Sequence, residues 1–561
     1  MHGAARKGTT ASALCNVAVL LCVAMWSGGL SAYQRDVGAS ESDAVQLGKR
    51  IFRDGVSVMG KPLEAWTGAG TPLRGADAAC AACHRRSGLG GSEGGRAIRP
   101  IGGGLFASAQ TGPDRELSPV QRARTPYSEF TLARALREGV DEAGRRLDTL
   151  MPRYRLSAAD LAALIAYLRT LGAAPDPGVT KTELHLATVI AGDVPTGRRD
   201  AMLEVLQAYV GLQNADTRAE GKRAREDTRR GEGMYRGYRR WVLHVWNLQG
   251  SEHAWPAQLD AHYRAQPVFA VIGGTSAAGW EPVHAFCERN ELPCVFPSID
   301  APVIEERAMY SVYLSKGVVL EAEALAAFLL QQSALHAQGR IVQVYREGGP
   351  GVAAARALNA ALQRGGVAQS EDVIVQSPGP PGKAFWTRLA GSSVQLVLWL
   401  TADDLIGLKE SGAGPHKLRA LFASATLSGD ALAWLADDLR DKAYLISPYV
   451  LPEQRERTLA RTLAWLRPRG IAEGELRTRA ESYLAVTLAA DALRHMAGNF
   501  SRDYFLERVE HAAANSLASA LFPRISLGPG QRYAAKGCYV VKIPSDPAAV
   551  MVPDLARWIT P

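Results

Sequence analysis

The sequence predicts a multidomain chain in which a small all-α domain precedes a larger two-lobe α/β region, and three observations carry that expectation. A Cys-x-x-Cys-His motif at residues 80–84 lies between segments of helical periodicity. From residue 186 onward, short apolar runs alternate with amphipathic stretches, the pattern of βαβ units and parallel sheets. Between the two textures stands Ala173-Ala174-Pro175-Asp176-Pro177-Gly178, a linker by composition. The 561 residues leave room for several domain equivalents. With 47% hydrophobic and 21% charged residues, wholesale disorder is excluded. Lys and Arg outnumber Asp and Glu 64 to 56, and the excess is spread along the chain apart from the run Lys222 to Arg230, which argues against a dedicated nucleic-acid binder.

Arg6 and Lys7 precede an uncharged apolar stretch, Ala11 to Trp26, followed by the small residues Gly28-Gly29-Leu30-Ser31-Ala32. This is the pattern of a cleavable secretory signal with cleavage near Ala32. The apolar run falls short of the roughly 20 residues that a permanent membrane anchor needs. Leu21 stands before Cys22 where a lipoprotein anchor calls for a small residue. Cleavage removes Cys15 and Cys22, and the loss of Arg6 and Lys7 leaves 62 basic and 56 acidic residues in a compartment where disulfides persist.

Cys80-Ala81-Ala82-Cys83-His84 has the spacing of c-type haem attachment. Two thiols on one turn can add across the vinyl groups of a haem, and the adjacent imidazole then supplies a nitrogen to iron. A zinc half-site needs two further ligands of matching spacing, and none follows. A thioredoxin-like redox pair belongs near a βαβ pattern, which is missing here. Upstream, Ser40 and Asp43 form a capping box before a helix running to about Arg53, with Gly48, Ile51 and Phe52 available for packing. Downstream, Tyr127 to Gly139 reads as a short helix with Leu132, Ala135 and Leu136 on one face. A second capping box, Ser157 and Asp160, opens a helix whose Leu161, Leu164, Ile165, Leu168 and Leu171 recur at helical spacing until Gly172. Met151 sits just ahead of it. The glycines between Gly88 and Gly104 let backbone lie against a flat cofactor, or form a plain surface loop. Arg134 and Arg137 are candidates for pairing with haem propionates or for solvated charge.

Over residues 40–174 the chain resembles the class I cytochrome c family. The matching residues are Gly48-Lys49-Arg50-Ile51-Phe52, the haem motif, Met151-Pro152 and Ala166-Tyr167-Leu168. The resemblance implies one haem c held covalently by Cys80 and Cys83, with His84 and Met151 as axial ligands of the iron. It also implies that the carbonyl of Pro100 holds the other ring nitrogen of His84, a device expected of a metal-bound histidine. Met59, the other methionine of the region, precedes the motif and ranks lower. A His/Met pair raises the reduction potential and leaves iron no open position, which points to electron transfer and not to catalysis at the haem.

In the second region, strand candidates run from Leu186 to Ile190, Trp241 to Trp246, Val268 to Gly273, Pro293 to Phe296, Ile341 to Tyr345, Asp372 to Gln376, Val394 to Leu400 and Ala443 to Ser447, with helical stretches between most of them. Phe269-Ala270-Val271-Ile272-Gly273-Gly274-Thr275-Ser276 is a buried strand entering a small-residue turn. Such a turn puts backbone N–H groups and hydroxyls at the carboxyl end of a parallel strand, where α/β folds bind ligands. With Leu292 to Ser298, the helix Tyr483 to Leu493 and the closing segment Ile525 to Val541, the order resembles the type I periplasmic binding proteins over residues 181–545, in particular the leucine/isoleucine/valine-binding family. The resemblance implies two lobes joined by three crossing strands, closing on a small ligand. The cleft candidates are Thr275 and Ser276, which match carboxylate-binding positions, together with Ser298 and Tyr483. Ser298-Ile299-Asp300-Ala301 stands where relatives often carry a Thr, and Tyr483-Leu484 where they often carry Tyr-Asp, which argues against an ordinary amino acid as ligand. Trp280, Tyr310 and Tyr313 either line a more apolar pocket or pack in the core. Cys287 and Cys294 bracket six residues and are either a local disulfide or a pair of thiols. Cys538 reads as a buried, inert thiol. Arg198 to Arg240 reads as a solvated helix and loop or as a docking surface for an acidic partner.

The expected organisation is a signal peptide (1–32), a cytochrome c haem domain (40–174), a linker (175–180), the type I periplasmic-binding-protein-like domain (181–545) and a C-terminal tail (546–561). The expected function is that of a periplasmic c-type cytochrome carrying one electron, coupled to a solute-binding domain that senses or recruits a small ligand. The family association is with quinoprotein-type alcohol oxidation. Expected partners are a periplasmic dehydrogenase, cytochrome or oxidase and the cleft ligand, with no nucleic acid and no membrane span after cleavage. The alternative is an ABC-transporter-type solute-binding protein or sensor, with an ABC permease as partner and the haem domain as a regulatory or docking module. No nucleophile and base set or second metal cluster can be assembled from the sequence, so an enzyme is the weaker reading.

Overall fold

The chain is seen here in a computed structural model that describes residues 42–93, 95–106, 125–227, 239–331, 340–367, 370–390, 394–410, 418–429, 432, 435–496, 498–515, 521–546, 549, 551 and 553–561. The expected signal segment and Ser40 of the first capping box lie outside the described residues. Two compact units meet at Pro175 and Asp176. Among the described residues no helix is long and apolar enough to cross a membrane.

In the first unit the helices fall where periodicity puts them. A helix over residues 42–54 buries Ile51 and Phe52 completely. The helix Ala158–Thr170 is opened by the Ser157 and Asp160 capping box, and the Asp160 carboxylate also accepts from the Val58 N–H at 2.8 Å. The two helices cross at Gly48, where a Cβ would lie 2.0 Å from the Ala163 carbonyl oxygen and 2.8 Å from Tyr167 Cβ. Only glycine lets the backbones approach so closely. The Phe52 and Tyr167 rings meet beside this crossing at 5.3 Å. The short helix Glu129–Glu138 is capped by Ser128 and ended by Gly139 in the left-handed region. Short strands accompany the expected helices: β1 (Glu64–Trp66) pairs with β2 (Pro72–Arg74) and with β5 (Arg153–Tyr154), while β3 (Gly91–Glu93) and β4 (Arg96–Ile98) form a hairpin.

The second unit contains two parallel sheets. In the first lobe β6 (Glu183–Ala191), β7 (Arg240–Leu248), β8 (Ala270–Ile272), β9 (Thr275–Ser276), β10 (Cys294–Val295) and β11 (Ser311–Val312) take the order β7-β6-β8-β10-β11, with β9 extending the pairing of β6. In the second lobe β12 (Arg340–Arg346), β13 (Glu371–Val375), β14 (Val394–Trp399), β15 (Ala420–Ser424) and β16 (Ala443–Ser447) repeat it as β13-β12-β14-β15-β16. Two antiparallel strands, β17 (Cys538–Lys542) and β18 (Ala556–Ile559), complete that edge. Both sheets thus reverse order at their first strand, which creates the crevice where doubly wound sheets bind ligands. The chain passes between the lobes after β11, after β16 and before β17, and two of these crossings are tied by Tyr313 N–H to Arg532 O at 2.8 Å and Ala534 N–H to Tyr313 O at 3.0 Å.

Two expected boundaries are corrected. Residues 176–180 are part of the α/β unit and not a free linker, because Asp176 N–H donates to Phe500 O and the Asp176 carboxylate accepts from Arg502 N–H. The expected C-terminal tail holds β18, whose backbone pairs antiparallel with β17 and so covers its edge. β15 was not anticipated from the sequence.

Candidate haem centre and interlobe cleft

The helix Cys80–His84 brings both thiols and the imidazole onto adjacent positions of one turn. Cys80 and His84 are buried and Cys83 is exposed. Burial pushes the Cys80 thiol up to about 12, against the hydrogen bond it shares with Tyr154 of β5. The chain leaves this helix through Arg85, which has a positive φ of 62°, and turns through Gly88 and Gly90. A Cβ on Gly90 would lie 2.2 Å from the Ile98 carbonyl oxygen and one on Gly102 2.8 Å from that of Leu171. These glycines therefore serve close backbone packing that brings β4 back beside the motif.

The result of that return is a carbonyl placed on His84. Its Nδ1 donates to the Arg99 carbonyl at 2.9 Å, one residue before the expected Pro100. Pro100 acts on its predecessor instead, since a residue before proline is held in extended backbone. Met151 is half-buried and packs on the apolar cluster that contains Cys80, Leu136, Tyr154 and Leu156. Its loop is pinned: Met151 N–H donates to Asp148 O at 3.1 Å, Arg153 donates to Met151 O, and the Asp148 carboxylate pairs with Arg96 of β4 at 2.7 Å. Met59, by contrast, is 79% exposed. Arg134 and Arg137 donate to the backbone carbonyls of Asp141 and Leu156. The donor set fits a covalent haem: two thiols one turn apart, an imidazole oriented by a carbonyl, and a thioether on the same apolar cluster.

In the α/β unit, Thr275 lies at the carboxyl end of the first-lobe sheet, beyond Gly273 and Gly274, whose φ values are 65° and 123°. It is fully buried, and its hydroxyl has no hydrogen-bond partner among the described residues. The Ser276 hydroxyl is spent on the local turn, donating to Gly279 O at 3.0 Å and accepting from Ala278 N–H at 3.1 Å. Ser298 donates to Glu481. Tyr483 is not gathered with these residues; its ring packs on Trp465 at 4.9 Å. Trp280, Tyr310 and Tyr313 are core residues, with Tyr310 bonded to Asp503 and Tyr313 to His284.

What the cleft contains instead is a charge network. Asp300 accepts from Arg198 at 3.2 Å and from Arg477 at 2.8 Å. Burial raises its carboxyl, yet the two guanidiniums prevail and hold it below the usual range. Arg477 also donates to Glu481, one turn along its helix Leu476–Arg494, and to the Thr426 carbonyl of the second lobe at 2.8 Å. Its guanidinium lies over the Tyr449 ring, 5.2 Å from the centroid. Arg477 thereby bridges the lobes. Of these residues the sequence reading singled out only Ser298 as a cleft candidate; the signals were the i,i+4 pair of Arg477 and Glu481 and the Asp300 that replaces a common Thr.

Glu321, fully buried on the helix Val318–Gln331, accepts from Ser424, from Thr426 N–H at 2.9 Å and from the Thr426 hydroxyl at 2.8 Å. Burial outweighs these bonds and raises its carboxyl from 4.5 to about 7. The folded chain therefore keeps a proton here that the unfolded chain releases above pH 4.5, so the contribution is full below pH 4.5 and is lost as pH rises to about 7. The loss is about 3 kcal/mol. Glu321→Gln is expected to remove that slope, seen as a wild-type minus variant difference in denaturation midpoints between pH 4.5 and 7.

The cytochrome c family model matches residues 74–172. No curated protein matches the chain. Solved structures similar to it include a fatty acid ABC transporter substrate-binding protein from Thermomonospora curvata, at 15% identity over 69% of this chain and 94% of that one, TM-score 0.45. A leucine binding protein from Thermotoga maritima is 13% identical over 66% of this chain and 99% of its own, TM-score 0.46. A substrate-binding periplasmic protein from Ralstonia solanacearum is 13% identical over 67% and 100%, TM-score 0.47. Residues 74–172 thus match the cytochrome c family, and the α/β unit that follows is built of two lobes whose parallel sheets share one strand order and are joined by three crossings.

Proposed function

We propose that the protein is an exported c-type cytochrome that carries one electron and whose α/β unit recognises a small polar ligand. The observation that carries the reading is the anchored imidazole: His84, on the same turn as Cys80 and Cys83, donates from Nδ1 to Arg99 O at 2.9 Å. That bond fixes the ring orientation and raises its basicity as a ligand. A bound haem c supplies a reversible one-electron couple at iron. Cys80 and Cys83 would hold it covalently, His84 and Met151 would supply nitrogen and sulfur to its iron, and the apolar cluster beneath Cys80 would keep water from it.

The α/β unit adds recognition. Its cleft residues are Thr275, whose hydroxyl has no partner among the described residues, and Ser298, Asp300 and Arg477, so a ligand that enters has to offer polar groups to the first and in place of the bonds the other three already make. The redox partner would be a periplasmic dehydrogenase, cytochrome or oxidase, with quinoprotein-type alcohol oxidation as the associated chemistry. The test is purification from an exporting host. The expected result is one haem per chain that resists extraction by acidified organic solvent and does not bind carbon monoxide when reduced. An extractable haem, or one that binds carbon monoxide, overturns the reading.

A further inference from the structure

We propose that Cys287 and Cys294 form a disulfide in the folded protein, a modification that ties the end of the helix Glu281–Arg289 to β10 at the base of the cleft loop. The inference rests on the export reading above, because a lasting disulfide needs an oxidising compartment.

Both side chains are fully buried in one apolar cluster with Phe286, Leu292 and Tyr313. The backbone sets both residues in place. Leu292 N–H donates to Cys287 O at 2.9 Å, closing the turn between helix and strand, and Cys294 N–H donates to Tyr310 O at 2.8 Å in the sheet. The neighbouring Glu288 carboxylate accepts from the N–H groups of Met309, Tyr310 and Ser311 and so fixes the helix end against the segment leading into β11. The two thiols are hydrogen-bonded to each other, and that bond together with burial pushes Cys287 well above the usual thiol range. The Cys287 thiol is then no nucleophile or exchange partner in the folded state.

The other thiols among the described residues are placed elsewhere. Cys80 and Cys83 lie in the haem unit, and Cys538 lies in a different apolar cluster. The seven-residue separation of Cys287 and Cys294 favours rapid local closure during folding, which spares the haem-attachment thiols from mispairing. Formation removes one hydrogen from each sulfur. The two electrons pass to a protein disulfide of the thiol-oxidase class by dithiol–disulfide exchange; its S–S bond breaks and its two sulfurs take up the two protons as a dithiol. The exchange precedes burial of the sulfurs. The staple lies directly before Phe296, Pro297 and Ser298, so it holds the strand from which Ser298 and Asp300 reach the charge network.

The experiment is alkylation of the haem-bearing mature protein, taken from a periplasmic extract after loss of Cys15 and Cys22, with iodoacetamide in denaturant, with and without prior reduction, read by intact and peptide mass. Without reductant one carbamidomethyl group is expected, on Cys538, together with a linked peptide pair containing Cys287 and Cys294. After reduction three are expected. Cys287→Ser is expected to show two without reductant, on Cys294 and Cys538, and Cys538→Ser none. Three modified cysteines in unreduced, haem-bearing protein overturn the disulfide while leaving the export reading intact. A chain found only in the cytoplasm and without covalent haem overturns the export reading, and this inference with it.

Discussion

Met151→Ala is expected to lower the reduction potential on the order of 100 mV, a fraction of the roughly 0.8 V that axial ligation spans. The methionine packs on the cluster beneath Cys80, and its loop is held by Asp148, Arg96 and Arg153. Removal of the thioether takes away the ligand without removing those backbone ties. The oxidised protein should lose its sulfur-to-iron charge-transfer absorption, and the reduced protein should acquire carbon monoxide binding. Met59→Ala, at a residue 79% exposed, should change neither. An unchanged spectrum in the Met151 variant contradicts the assignment.

Arg477→Ala is expected to cost the α/β unit about 3 kcal/mol, the low end for breaking a buried ion pair, since Arg477 and Asp300 keep 28% and 20% side-chain exposure. The loss is large because several groups are orphaned together: Asp300 keeps only Arg198, Glu481 keeps Ser298, and the Thr426 carbonyl loses its donor. The link between lobes goes with them, so small-angle scattering should report a larger radius of gyration in the variant. Arg477→Lys should recover part of the stability and none of the planar, multiply donating geometry over Tyr449. Denaturation midpoints and scattering curves identical to wild type would show that the lobes do not depend on this bridge.

How far the fold was legible in the sequence depended on how local its causes are. Ser157 and Asp160 announce their helix because a capping box is complete within four residues. The Cys80, Cys83 and His84 constellation is legible for the same reason. Strands such as Ala443–Ser447 were found because buried parallel strands read as short apolar runs. β15 escaped because Ala420-Leu421-Phe422-Ala423-Ser424 is short, holds no β-branched residue and runs without a break into the helix Ala425–Ser428. β18 escaped because its role depends on pairing with β17, which no local pattern encodes.

The site divides along the same line. His84 was legible, but its partner was displaced by one residue, from Pro100 to Arg99, since the direction of a carbonyl follows from the path of β3 and β4 and not from the presence of proline. Tyr483 was expected in the cleft because Tyr483-Leu484 stands where the resembled family often carries Tyr-Asp. The helical face turned towards Ser298 carries Arg477 and Glu481 instead, and Tyr483 belongs to the face that meets Trp465. Asp300 stood out in the sequence only as a departure, and its two guanidinium partners lie 102 and 177 residues away. Contacts of that separation are set by the packing of two lobes, which periodicity and capping do not describe.

The measurement that tests the proposed pairing of an electron carrier with a ligand-binding unit most directly is an optical redox titration of the purified protein with and without a panel of amino acids, alcohols, aldehydes and carboxylates. The predicted result is a single one-electron transition whose midpoint moves with one ligand class, since a ligand that prefers one oxidation state must shift the potential reciprocally. A shift of about 60 mV corresponds to a tenfold difference in affinity between the two states. A ligand that binds while the midpoint stays fixed would contradict the coupling and make the haem domain a tether for a solute-binding protein.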